Sequence, residues 1–223
     1  MRKCLHLLAV SFLSCTYAQE LPVVSSIGEL RQIMHQGQFE ARVKLDTLVK
    51  KGTYGVGALD SLSGELFVID GEVFRSEVEN NSVITRRDQS SKATLFVYSK
   101  VISWDTLEFS GISDLETALG KTGDLSTPFA FQLIGDAIVD YHVINFDPIT
   151  TDLAQHKDGA YAGSFKSEPV TILGFYSKNA KGVYTHHDSN LHMHVINADK
   201  SIMGHVDDID IKNGTFKLLT PGK

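Results

Sequence analysis

Apolar positions along the chain recur with two periods, and the shorter period dominates. Leu30, Ile33 and Met34 fall at the i, i+3, i+4 spacing of a helix face. Ser26-Ile27-Gly28-Glu29 before them has capping-box spacing, and Gly37 suits the position just past a helix end. A second short helix is predicted over 113–119, where Ser113 and Glu116 repeat the box and Gly120 follows. Asp46–Lys51 predicts a brief helical turn. Elsewhere the signals are those of strands. Leu66–Ile69, the Asp70-Gly71 turn and the alternating run Val73–Val78 predict a hairpin. Further strands are predicted at Thr94–Val101, Phe129–Ile134, Ile138–Ile144, Val170–Phe175, Leu191–Ile196, His205–Ile211 and Thr215–Leu219, with Asn213-Gly214 turning between the last two. The pattern is that of an α+β or largely β domain with few short helices.

Composition changes this picture little. The 223 residues are 42% hydrophobic and 22% charged, ordinary for a globular chain with a full core. They suffice for one large domain or two intimately packed small ones. Asp147–Lys157, with Pro148 and paired threonines, is a loop or a boundary. There is no internal repeat, heptad or low-complexity tract. A formal net charge of -6 gives no electrostatic reason to seek nucleic acid or an anionic membrane surface.

The first 18 residues are a different object. Arg2 and Lys3 form a positive start, Leu5–Leu13 is an apolar run too short to span a bilayer, and Thr16-Tyr17-Ala18 offers small residues at cleavage offsets. We read 1–18 as a secretory signal peptide, 19–223 as a single unit, and the protein as secreted or periplasmic. Cys15 is poorly placed for lipid attachment, because Phe12-Leu13-Ser14 makes a weak lipobox. Both cysteines, Cys4 and Cys15, leave with the leader, so no disulfide is expected beyond it. No later stretch is long and apolar enough to be a membrane span.

Candidate chemistry concentrates in the histidines. His192 and His194 are alternate residues of a predicted strand, so their imidazoles project to one side. His205 follows eleven residues later at the start of the next strand. A short hairpin near Asp199-Lys200-Ser201 would bring it beside the pair. Three histidines with an open position is the arrangement of catalytic rather than structural zinc, and imidazole ligands also suit iron, cobalt or manganese. An isolated HxH is a weak signal, since half-buried strand histidines are common; the third histidine strengthens it. Of His186 and His187, at most one could face the same site from a strand, and the loop 185–190 is their expected place. A cupin would carry a glutamate after the pair, and none follows His194. There is no thiol nucleophile beyond the leader, no GxSxG, no P-loop, and Gly55-Val56-Gly57 alone is no dinucleotide fingerprint.

With its GH-V context, the His192-Met193-His194…Gly204-His205-Val206 pattern resembles the α-acetolactate decarboxylase family. Gly52-Thr53-Tyr54-Gly55-Val56-Gly57 leading to Gly64-Glu65, the Asp70-Gly71 turn, Pro128–Gly135 and Leu173-Gly174-Phe175 resemble further family segments in the same order. The resemblance runs from about Ile27 to Ile211. It implies a mixed-sheet N-terminal part, a small β-barrel-like C-terminal part, a divalent metal between them (most simply Zn2+), and dimerisation by joined sheets. It also implies a small 2-hydroxy-3-keto acid as substrate: 2-acetolactate (2-hydroxy-2-methyl-3-oxobutanoate) would be converted to acetoin and carbon dioxide. His192, His194 and His205 would be the ligands, and Glu65 would deliver a proton or position groups beside the metal.

Three departures bear on the activity. Where the family places an arginine for the substrate carboxylate, this chain has His142, allowing a one-residue shift. Imidazole is charged only below about pH 6.5 and lacks the planar fork of Arg. Ala58 stands where the family has a hydroxyl. The sequence stops at Lys223, before the family strand that brings a second glutamate. The alternative reading is therefore a diverged or non-catalytic secreted metal-binding relative.

Overall fold

The computed structural model describes residues 21–110, 114–122, 125–147, 159–210 and 215–222. The signal peptide expected over 1–18, the expected Asn213-Gly214 turn and nearly all of the 147–157 stretch lie outside these residues.

In chain order the elements are β1 (Val24–Ile27), α1 (Leu30–Gln36), β2 (Val43–Lys44), α2 (Leu45–Leu48), β3 (Thr53–Leu59), β4 (Glu65–Ile69), β5 (Glu72–Glu79), β6 (Ser82–Arg87), β7 (Lys92–Lys100) and β8 (Trp104–Ser110). They continue as α3 (Leu115–Gly120), β9 (Phe129–Val143), β10 (Tyr161–Tyr176), β11 (Leu191–Asn197), β12 (Met203–Asp210) and β13 (Thr215–Pro221). The class is α+β, as the pattern implied.

The first sheet has the order β1-β7-β3-β4-β5-β6, with β2 also on β7. Its pairings are all antiparallel, so it is not the mixed sheet expected. The reason is local: tight connections such as Asp70-Gly71 join successive strands, and a short turn can only link antiparallel neighbours. The second sheet closes on itself. β9 pairs β10, β10 pairs β11, β11 pairs β12, and β12 returns to β9. This four-stranded circuit is the small barrel, extended by β13 and β8 along the free stretch of β9.

Several boundaries moved. Ser26 does not cap a helix: it pairs with Val97 in β1, and Glu29 precedes α1 without a side-chain cap. Gly37 does end α1, with φ 64 and its N–H turned back to the carbonyls of Gln32 and Ile33. At α3 the cap is Asp114, which accepts from the Thr117 N–H at 2.7 Å. The two strands expected within 129–144 are one, because Gly135 keeps its pairing with Val170 and Phe216.

Alternation along each strand sorts side chains into three layers. Phe131, Leu133, Val139, Tyr141, Ile172, Val195 and Val206 fill the barrel. Leu45, Leu66, Val68 and Phe96 pack on the outer face of the first sheet, under α2. Between the two sheets lie Val56, Phe67, Phe74 and Leu95 from one side and Leu173, Phe175, Ile196 and Met203 from the other. Each such side chain contributes roughly 1.5–3 kcal/mol on full burial, and this middle layer fixes one sheet against the other. Phe175→Ala, in that layer, would cost about 3–5 kcal/mol.

Candidate metal centre

The same alternation builds the site. On β11, Met193 and Val195 point into the barrel, so His192 and His194 point outward with Ile196 toward the first sheet. On β12, Val206 points inward and His205 shares the outward side with Met203. On β9, Tyr141 points inward, leaving His142 on the outward side with Ile144. Facing them on β4, Leu66 and Val68 turn to the outer layer, which puts Glu65 with Phe67 on the barrel side.

Register completes the arrangement. His194 is the cross-strand partner of His205, and His205 in turn of His142. Close strand approach at this point requires Gly204, where an added Cβ would lie 2.6 Å from the His142 carbonyl oxygen. The Nε2 atoms of His192 and His194 stand 3.2 Å apart, and His205 Nδ1 is 3.3 Å from His194 Nε2. With Zn–N bonds of about 2.0–2.1 Å, the edge of a tetrahedron is about 3.3 Å, so these spacings fit two edges of one coordination shell. The ligand atoms of His192, His194 and His205 all lie within 4.8 Å of one another. Neutral imidazole is the ligating form, and burial enforces it. It depresses His192 to about 3 and holds His194 and His205 well below the usual histidine value, neighbouring imidazoles adding to the effect. The residues present therefore fit a divalent metal.

Glu65 is 4% exposed. Its Oε1 accepts from the Ile144 N–H at 3.1 Å, and its Oε2 is 3.7 Å from His194 Nε2. Burial pushes its carboxyl up to about 7, against a smaller lowering by His142 and the Ile144 bond. A carboxyl in that range holds or releases a proton near neutrality.

His142 joins the site: its ring lies 4.9 Å from that of His205. Its Nδ1 faces Asp207, 2.8 and 2.9 Å from the two carboxylate oxygens. Asp207 was not foreseen: the β-bulge between Val206 and Asp208 interrupts the alternation there, and Asp207 faces His142. The structure also brings in His186, whose ring lies edge-on 5.6 Å from His205, while His187 sits beside Gly182. A cavity of about 400 Å³ spans these groups, walled by Ala58, Glu65, His142, Tyr184, His186, His192 and His205. Its roof is α1, which turns the Leu30, Ile33 and Met34 face inward. The helix is pinned there by the Leu30 and Arg31 N–H groups, bonded to the Val183 and Gly182 carbonyls at 2.8 and 2.9 Å.

Comparison with known proteins agrees on one family. The sequence profile described as Alpha-acetolactate decarboxylase matches residues 26–220. The Alpha-acetolactate decarboxylase of Lactococcus lactis subsp. lactis is 24% identical over 186 residues, covering 82% of this chain and 78% of the relative. That of Bacillus licheniformis is 21% identical over 216 residues, covering 88% and 81%. The crystal structure of alpha-acetolactate decarboxylase from Bacillus subtilis strain 168 superposes with a TM-score of 0.76 at 17% identity, covering 90% of this chain and 86% of that one. A Staphylococcus aureus protein of unknown function, similar to the same enzyme, gives 0.72 at 18% identity, covering 88% and 85%.

Proposed function

We infer the reaction from one premise: the chain belongs to the alpha-acetolactate decarboxylase family. The proposed activity is metal-dependent decarboxylation of 2-acetolactate to acetoin and carbon dioxide. The observation that carries it is a buried carboxyl, Glu65, set 3.7 Å from the His194 nitrogen of a three-imidazole cluster.

His192, His194 and His205 would hold the ion, most simply zinc. A bound divalent ion supplies Lewis-acid polarisation of the substrate's hydroxyl and keto oxygens. In 2-acetolactate the carboxylate carbon is bonded to a carbon beside a ketone. When that bond breaks, carbon dioxide leaves and the electron pair passes toward the ketone oxygen. Acetoin then requires one proton at carbon. Glu65 is placed to hold that proton on its carboxyl and deliver it: its Oε2 lies 3.7 Å from His194 Nε2, and in the metal-free protein burial raises its carboxyl to about 7. The apolar roof, Leu30, Ile33 and Met34, limits water around the reacting carbon.

Assaying acetoin and carbon dioxide from racemic 2-acetolactate with the zinc-loaded protein tests the reading. Acetoin above the spontaneous rate is expected. Its absence in protein with one bound metal per chain would overturn the proposal. That outcome would favour the second reading, a non-catalytic metal-binding relative, for which Ala58 and the tying of His142 to Asp207 speak.

A further inference from the structure

The cavity roof carries a group that nothing so far has used. Among the residues that wall the cavity there is one permanent cation, Arg31, and no lysine. Beside it stand Glu65, which opposes an anion when ionised, and six imidazoles, of which His192 and His205 belong to the three-histidine cluster. His142 already faces a carboxylate, that of Asp207. Among the described residues, an anionic substrate entering this cavity therefore meets Arg31, itself paired with Glu29 through Nε, as the one lasting positive side chain.

Arg31 is held in a defined place. Its backbone N–H bonds the Gly182 carbonyl, in the turn that leads to Tyr184 and His186, both cavity residues. Its Nε donates to Glu29 Oε2 at 2.6 Å. That contact fixes one edge of the guanidinium, and no bond to protein is made by its Nη groups among the described residues. Two parallel N–H donors are what a carboxylate accepts in bidentate fashion.

We propose that Arg31, on α1 among the residues that wall the cavity, is the residue that binds the carboxylate of a 2-hydroxy acid substrate. This deepens the decarboxylase reading and rests on it for the identity of the substrate, though not for the presence of an anion site. The location makes a further point about role. The side chain is 60% exposed, so its hold on the carboxylate is screened and moderate. Moderate binding suits a group about to leave as neutral carbon dioxide, since a grip present only before bond breaking would slow the reaction. Arg31 is thus a binding and specificity residue, acting on KM more than on kcat.

The test compares two probes of matched shape, 2-hydroxyisobutyrate and its neutral amide, by calorimetric titration of the zinc-loaded full chain. Arg31→Gln is expected to weaken the acid by about tenfold or more while leaving the amide within about twofold. Arg31→Lys should recover part of the loss, because charge returns without the fork. Unchanged amide affinity also shows that the variant is folded. Acid affinity unaltered in Arg31→Gln, or equal losses for acid and amide, would overturn the assignment. If acid binding depends on Arg31 while the wild type makes no acetoin, the anion site stands and the decarboxylase reading falls. If acetoin forms with an unchanged KM in Arg31→Gln, the reverse holds.

Discussion

His142 and His205 are direct cross-strand partners on β9 and β12, with ring centroids 4.9 Å apart, and the far side of His142 is tied to Asp207. This relationship changes what a substitution at 142 should do. From sequence alone, an arginine there would be expected to improve carboxylate binding. In the folded protein the guanidinium would meet Asp207 first and spend its fork on that carboxylate. His142→Arg should therefore alter KM for 2-acetolactate by no more than about twofold, whereas His142→Arg with Asp207→Asn should lower it several-fold, on the order of one charge-assisted hydrogen bond. Steady-state kinetics on the two variants check this; a full gain from His142→Arg alone would show that Asp207 does not restrain position 142.

The three-imidazole cluster predicts metal-linked stability. Substituting alanine for both His192 and His194 should abolish stoichiometric metal by elemental analysis. In the wild type, zinc at 100 times its dissociation constant should add about 2.7 kcal/mol, which the double variant should not gain. Acid should release the ion. His192, His194 and His205 have lowered folded-state values, so between about pH 6.5 and about 3 the unfolded chain binds more protons than the folded one. Metal-free protein should accordingly lose stability as pH falls through that window. In metal-free Glu65→Gln, where the opposing carboxyl is gone, a melting temperature that stays flat from pH 7 to pH 4 would contradict the burial of these rings.

What the sequence made legible follows from where information was local. Alternation on 191–195 and the eleven-residue step to His205 were enough to group the three histidines, because strand geometry carries side-chain direction. Glu65 was found through resemblance, and only the fold explains why a carboxyl beginning a strand is buried: Glu65 shares a face with Phe67, in the layer between the sheets. The edge strand Ser82–Arg87 and the polar first half of β10 escaped notice, since edge and bulged segments have little apolar alternation to read. Arg31 and Asp207 reach the site through tertiary placement. A helix whose polar side rims a cavity has the same sequence pattern as one that faces solvent alone.

Export makes its own prediction. If residues 1–18 are a signal peptide, mass spectrometry of protein recovered outside the cytoplasm should find a chain beginning near Gln19. Intact Met1–Ala18 on that material would remove the basis for placing the protein there.

Glu65 offers the sharpest test, because two independent measurements must agree. Its folded-state value, about 7, lies above the ordinary carboxyl value of 4.5, and burial is the main cause. Between those two values the folded metal-free protein binds more protons at this residue than the unfolded chain does. The contribution of Glu65 to stability therefore falls as pH rises from about 4.5 to 7, in the direction opposite to that of the buried histidines. Glu65→Gln removes a charge that costs free energy to bury, so the metal-free variant should equal the wild type near pH 4.5. By pH 8 it should exceed the wild type by on the order of 3 kcal/mol. Chemical denaturation of both proteins across that range measures the effect, together with the coupling of Glu65 to His142 that partly offsets it. In the zinc-loaded enzyme the same substitution should cut kcat by about 10²–10⁴-fold, because Gln has no proton to give. Greater stability at pH 8 together with lost turnover is the signature of a carboxyl kept in place for chemistry at the expense of the fold. Lost turnover with no gain in stability would mean that Glu65 ionises without cost, and full turnover in Glu65→Gln would mean that the proton comes from another group.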